Sequence, residues 1–183
     1  MTARTARMPP AQPPFPPEIQ AAFEKIMPPG MPPLQLFTTL AREPRLFGKF
    51  FAAGLLDRGR LTLRQREIVI HRTTALCRSE YEWGVHAALF AERVGLDAAQ
   101  LASTVSGSPD DACWSEEDRV LLRLCDALHA GCDVDDALWA LLRAHFSEEA
   151  VLELLMLAGF YRTVSYLTNA LRLPPEAAAA RFP

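Results

Sequence analysis

Glu67, His71, Cys77, Glu82 and His86 fall in one stretch, residues 61–96, among Ile68, Val69, Ile70, Tyr81, Trp83, Val85 and Phe90. Glu82 and His86 are four apart, so on a helix they share a face, with Glu82 nearer the positive N-terminal end. A carboxyl group hydrogen-bonded to an imidazole can take up and deliver a proton near neutral pH. Glu67 precedes them on its own helix and joins the pair if the two helices fold back on each other. His71 and Thr74 follow Glu67 at i+4 and i+7, so the polar sides of both helices can line one pocket.

Simpler roles fit the same residues. Ser79 and Glu82 form an S-x-x-E capping box, in which Glu82 reaches back to the Ser79 amide instead of to a histidine. Glu67 can pair with Arg64 or Arg66 at the surface, and a lone histidine on a helix is commonly a satisfied structural residue. Spacing leaves both readings open.

The elements that must position these groups are helical. Thr62 with Gln65 is a capping box that opens the first central helix, whose Ile68, Val69, Ala75 and Leu76 make a core stripe. The second, Glu80 to Val94, is apolar over most of its circumference, which predicts burial on more than one side. Glu82 and His86 are then flanked by buried surface, where a charge needs a partner. Gly95 ends this helix and Asp97 with Gln100 starts the next, running to Ser106. Further helices are expected over 34–42, 44–57, 114–130 (opened by Ser115 with Asp118), 137–145 (capped by Asp133 or Asp135) and from Ser147 to about Leu173, where Pro174-Pro175 stops the chain. No stretch alternates at period two, and no Gly-rich phosphate loop is present.

The 61–96 stretch resembles the carboxymuconolactone decarboxylase and alkylhydroperoxidase-D superfamily of small all-helical proteins. Its peroxidase branch carries E-x11-C-x2-C-x3-H, a proton relay around a redox dithiol. Laid on this chain, Glu67 matches the glutamate, Ser79 and Glu82 stand at the two cysteine positions, and His86 matches the histidine. The resemblance thus carries over Glu67 and His86 but not the dithiol. SEYEW followed by a histidine is similar to the decarboxylase-like branch. The similarity runs from about Leu46 to Leu173. It implies an all-α bundle of the alkylhydroperoxidase-D-like type, an obligate homo-oligomer, and a cofactor-free carboxy-lyase acting on a small carboxylated or lactone-bearing molecule. In that role His86 is the general acid/base, Glu82 its orienting or proton-sharing partner and Glu67 the second carboxyl group. Arg72 is the expected substrate anchor, and Tyr81 and Trp83, flanking Glu82, are the other expected substrate-binding residues. Two alternatives stay open. One is peroxiredoxin-like antioxidant activity through a single cysteine, Cys77; the other is a non-enzymatic helical assembly protein.

Composition sets the bounds. A chain of 183 residues, half of them hydrophobic, supports one well-filled core. A net charge of −3 with dispersed arginines gives no basic face for nucleic acid or an anionic membrane. Four cysteines, Cys77, Cys113, Cys125 and Cys132, show no C-x-x-C and no metal-ligand spacing with the histidines. Without a secretory signal they are expected as reduced thiols in a cytoplasmic protein. The most apolar run, Leu154 to Tyr161, is bounded by Glu153 and Arg162 and reads as a core helix. Ten of the fifteen prolines lie in the first 33 residues. Residues 1–33 are therefore expected as an extended arm with a short helix at Glu18 to Met27, its first dozen residues mobile and the arm lying on a neighbouring subunit. Residues 34–183 form the single helical domain. Arg162 beside apolar residues is a second possible carboxylate fork, and Tyr161 and Tyr166 are possible donors to a bound acid.

Overall fold

The computed structural model describes residues 6–55 and 57–183. Among them are nine α-helices and no strands: α1 Pro17–Ile26, α2 Gln35–Leu40, α3 Pro44–Ala52, α4 Leu63–Leu76, α5 Glu80–Phe90, α6 Ala98–Ser106, α7 Glu116–Gly131, α8 Asp136–His145 and α9 Glu148–Ala170. The expected helix over 44–57 stops at Ala52, and the expected second central helix ends at Phe90, with a 3-10 turn at Glu92–Val94 before Gly95.

α4 is the axis of the bundle. It packs against α5, α6, α7 and α9 at once. Every residue from Glu67 to Ala75 is therefore buried, polar ones included. Sequence fixes its start, because Gln65 N–H donates to Thr62 Oγ1 at 3.2 Å and Thr62 N–H to Gln65 Oε1 at 2.8 Å. α7 runs parallel to it at an offset of 52 to 54 residues, pinned by Gln65–Glu117, Arg64–Asp118, Thr73–Cys125 and Arg72–Asp126. The same Asp97–Gln100 box opens α6, while Ser115, Asp135 and Ser147 cap α7, α8 and α9.

The corner between α4 and α5 sets where the acids point. Ser79 N–H donates to Thr74 O and Arg78 N–H to Ala75 O, both at 2.8 Å, with Arg78 left-handed at φ 54°. This is the hydrogen-bond pattern that closes a helix on a left-handed residue. It turns Ser79 inward, where its hydroxyl meets Thr168 Oγ1 of α9 at 2.8 Å. Ser79 therefore makes no side-chain cap on α5, contrary to the capping-box reading.

Two segments frame this core. The proline-rich arm lies on its own chain: Phe15 and Phe23 stack edge to face at 5.1 Å, Phe23 meets Phe47 of α3 at 5.6 Å, and Ala11 N–H donates to Thr38 O. The arm, expected on a neighbouring subunit, packs on its own chain from Arg7 onward, where Arg7 N–H donates to Leu171 O; residues 1–5 lie outside the described residues. At the other end, the chain after α9 folds back across α5. Ala180 N–H donates to Gly84 O at 3.0 Å, and Phe182 packs edge-on against Trp83. α9 has 23 residues and a mean hydropathy that would allow it to cross a membrane. One side of it, Val151, Leu154, Leu157, Ala158 and Val164, is instead packed into the protein core against α4.

Candidate functional site

The acids and the imidazole meet. His86 Nδ1 lies 2.9 Å from Glu67 Oε2, and His86 Nε2 lies 3.4 Å from Glu82 Oε1. One imidazole thus bridges a carboxyl group from α4 and one from its own helix. All three side chains are buried, with Glu67 1 %, His86 5 % and Glu82 7 % exposed. Phe90 stacks on the His86 ring, at 5.3 Å between centroids, and Tyr161 of α9 meets it edge-on at 5.2 Å. The i, i+4 spacing brings Glu82 under His86, and the α4–α5 corner brings Glu67 across from it.

Electrostatics then fixes the charge. Burial by itself lowers the pKa of His86, but the charge and hydrogen bond of Glu67, followed by those of Glu82, more than reverse this and raise it to about 10. At neutral pH His86 is an imidazolium held between two acids. Glu67 Oε2 accepts the short bond, whereas Glu82 Oε2 is buried with no partner among the described residues. Glu67 therefore orients the ring, and Glu82 presents the unused oxygen. Of the two roles expected for Glu82, orienting or proton-sharing partner, this geometry favours the second and gives the first to Glu67. It also disposes of the surface reading of Glu67, since Arg64 pairs with Asp118 and Arg66 donates to Leu55 O and Asp57 O.

His71, expected on the pocket face of α4, and Tyr161, expected as a possible donor, both belong to the same cluster. His71 Nδ1 is 2.7 Å from the Glu67 carbonyl oxygen and must donate to it, so Nε2 is the bare nitrogen, buried without a partner among the described residues. Burial lowers its pKa to about 4 against the opposing pull of Glu67. His71 is thus neutral beside a charged His86, 6.3 Å away. Its signal was the i+4 step from Glu67. Burial pushes the Tyr161 phenol well up, and the charges of Glu82 and Glu67 add to that; no short-range pattern links residue 161 to residue 86.

The three expected substrate-binding residues are committed elsewhere. Arg72 forms a two-pronged pair with Asp126, at 2.6 and 2.9 Å, and donates to the carbonyls of Ser103, Thr104 and Gly107. It ties α4 to α6 and α7 and is not free to anchor a substrate. Tyr81 donates to Glu176 and accepts from Leu36 N–H, so its hydroxyl is fully engaged. Trp83 Nε1 donates to Thr104 Oγ1 at 3.0 Å while its ring lies between His71 and Phe182. Trp83 thus backs the His71 side of the cluster. Cys77 sits apart, in the wall of a cavity between α4, α7 and α9. The cavity beside Arg66 and Arg93 and the one beside α1 are likewise lined by other residues than Glu67, Glu82 and His86.

No family model matches the chain. The uncharacterized protein YnjA of Escherichia coli strain K12 is 30 % identical over 126 residues, covering 67 % of this chain and 68 % of YnjA. An uncharacterized peroxidase-related protein from Ralstonia eutropha JMP134, described as an alkylhydroperoxidase AhpD core, superposes with a TM-score of 0.78 at 21 % identity, over 95 % of this chain and 94 % of its own. An uncharacterized peroxidase-related protein from Silicibacter sp. TM1040 gives 0.77 at 22 % identity, over 98 % and 99 %. The debrominase Bmp8 gives 0.76 at 17 % identity, over 93 % and 92 %. The helical architecture of these proteins is the one formed here around α4 and α5: the chain has the AhpD-like fold and belongs to the family of YnjA.

Proposed function

We propose that the chain is a cofactor-free acid–base enzyme of the carboxymuconolactone decarboxylase type, a carboxy-lyase acting on a small carboxylated or lactone-bearing molecule. The observation that carries this reading is the buried imidazolium bridging Glu67 and Glu82, with one Glu82 oxygen unpartnered. Loss of carbon dioxide breaks a C–C bond and leaves its electron pair as an enolate. The enolate carbon must then take a proton. The His86 imidazolium passes its Nε2 proton to Glu82 Oε1, Glu82, now a neutral carboxylic acid, turns to deliver that proton to the enolate carbon, and solvent then restores the imidazolium, while Glu67 holds the ring in line. Tyr161 faces the same imidazole and can donate to the enolate oxygen.

With Arg72 committed to Asp126, the substrate carboxylate calls for another cation. Arg66 suits it, because its Nε is buried without a partner among the described residues and its charge reaches Tyr161. Phe90, half-buried over the His86 ring, is the side chain whose rotation opens the way in. The same reading makes the protein a homo-oligomer. The outer stripe of α9, with Leu152, Met156 and Tyr166 each about 60 % exposed, is the apolar surface available to a second copy.

The test is turnover of a carboxylated γ-lactone panel in D2O. Wild type is expected to release CO2 and leave deuterium on the adjacent carbon, and His86→Gln to lower the rate by ~100-fold or more. Turnover unchanged in His86→Gln, or absent from wild type across the panel, overturns the assignment.

A further inference from the structure

A second reactive constellation lies on a different face of α4 from Glu67 and His71. Thr73, Cys77, Cys125, Leu128, His129 and Arg162 contribute to a cavity of about 170 Å3 between α4, α7 and α9, with the exposed Cys132 also in its lining. That is close to the roughly 150 Å3 an apolar cavity needs to take benzene. The parallel register of α4 and α7 puts Cys77, which caps the C-terminus of α4, against His129, near the end of α7, with Sγ 4.0 Å from Nδ1. Arg162 reaches over from α9. Its Nε donates to Tyr166 and its NH1 to the Leu128 and His129 carbonyls, leaving NH2 without a bond among the described residues.

We propose that this cavity is a covalent site for small α,β-unsaturated carbonyl compounds, with Cys77 as nucleophile, His129 as its base and Arg162 as the group that holds the developing enolate oxygen. Burial pushes the Cys77 thiol up, against the opposing pull of Arg162 and Ser165. The resting group is therefore a thiol, and its proton must leave as the bond forms. The Sγ proton passes to His129, sulfur adds to the β-carbon, the C=C π pair shifts to join the α-carbon to the carbonyl carbon, and the carbonyl π pair moves onto the oxygen beside Arg162. His129 then returns the proton to the α-carbon. The thiol hydrogen ends on carbon, and neither oxidant nor reductant is consumed. Cys125, in the same wall, is excluded as the nucleophile, because burial pushes its thiol up to about 12, against the opposing hydrogen bond from Thr73, and the thiol donates to the Val69 carbonyl.

The probe is 2-cyclohexen-1-one, seven heavy atoms with a conjugated ketone, applied to the full chain carrying Cys132→Ser. Peptide mass spectrometry is expected to find one adduct, on Cys77, forming at least tenfold faster than any on the half-buried Cys113. His129→Gln is expected to slow it at least tenfold. Arg162→Gln is expected to slow cyclohexenone addition while leaving alkylation by iodoacetamide, which makes no enolate, within twofold. Should Arg162→Gln fail to fold, the ratio of the two reagents' rates at Cys77 relative to Cys113 replaces it. Labelling of Cys77 no faster than Cys113, a rate indifferent to His129→Gln, or a reagent ratio equal at the two cysteines overturns the proposal.

Discussion

At the scale of single residues, the chemistry turns on an inversion: two histidines 6.3 Å apart are driven to opposite charge states. His86 has a carboxyl group on each nitrogen, whereas His71 has a backbone carbonyl on one and nothing on the other. Glu82→Gln keeps the shape of the site but removes the group that carries the proton outward. It is expected to lower kcat by ~100-fold with little change in thermal midpoint, whereas a loss of stability without loss of turnover would make Glu82 structural. Arg66→Gln is expected to raise KM more than it lowers kcat, as removal of a carboxylate anchor should. The meeting of Glu82 with His86 was legible in the sequence because they are one helical turn apart. Arg72, Tyr81 and Trp83 were misread because the groups that engage them, Asp126, Glu176 and Thr104, lie far along the chain and no local pattern announces them.

At the scale of elements, α5 is held in place from both sides. The corner behind it depends on Arg78, an exposed residue at φ 54°, a conformation that costs an L-residue about 1–2 kcal/mol over glycine. Arg78→Gly is expected to stabilise the protein by roughly 0.5 kcal/mol after glycine's greater loss of chain entropy, read as a small rise in thermal midpoint. In front, a Cβ at Gly84 would meet the backbone of Ala180 in the returning C-terminal segment. Gly84→Ala is expected to cost about 1–3 kcal/mol and to free Phe182 from Trp83, seen as a change in tryptophan fluorescence. The helices and most of their caps could be read from periodicity and S/T/D-x-x signals. The failure at Ser79 is instructive: a helix-closing turn one residue earlier had already committed its direction, so its hydroxyl went to Thr168.

For the whole molecule, a bundle centred on a helix buried on all sides must place polar groups inside, and this makes stability depend on pH at both ends. The folded pKa of His86 is raised from 6.5 to about 10, so its stabilising contribution is complete below pH 6.5 and is lost as pH rises toward 10. That of His71 is lowered from 6.5 to about 4, so the unfolded chain takes a proton the folded one refuses, and stability falls as pH drops from 6.5 toward 4. Unfolding free energy is therefore expected to peak near pH 6.5, with His86→Asn flattening the alkaline flank and His71→Asn the acid one. On the outer surface, the proposed homo-oligomer through the α9 stripe predicts that wild type is larger than a monomer in light scattering and Met156→Glu is not; a monomeric wild type or an unchanged mass would contradict that contact. The central claim is most directly tested by a 15N NMR titration of the imidazole rings in the folded protein. The account predicts that His86 carries protons on both nitrogens at pH 7 and titrates near pH 10 while His71 stays a single neutral tautomer protonated at Nδ1. A His86 that titrates near 6.5, with one bare nitrogen at neutral pH, would contradict it.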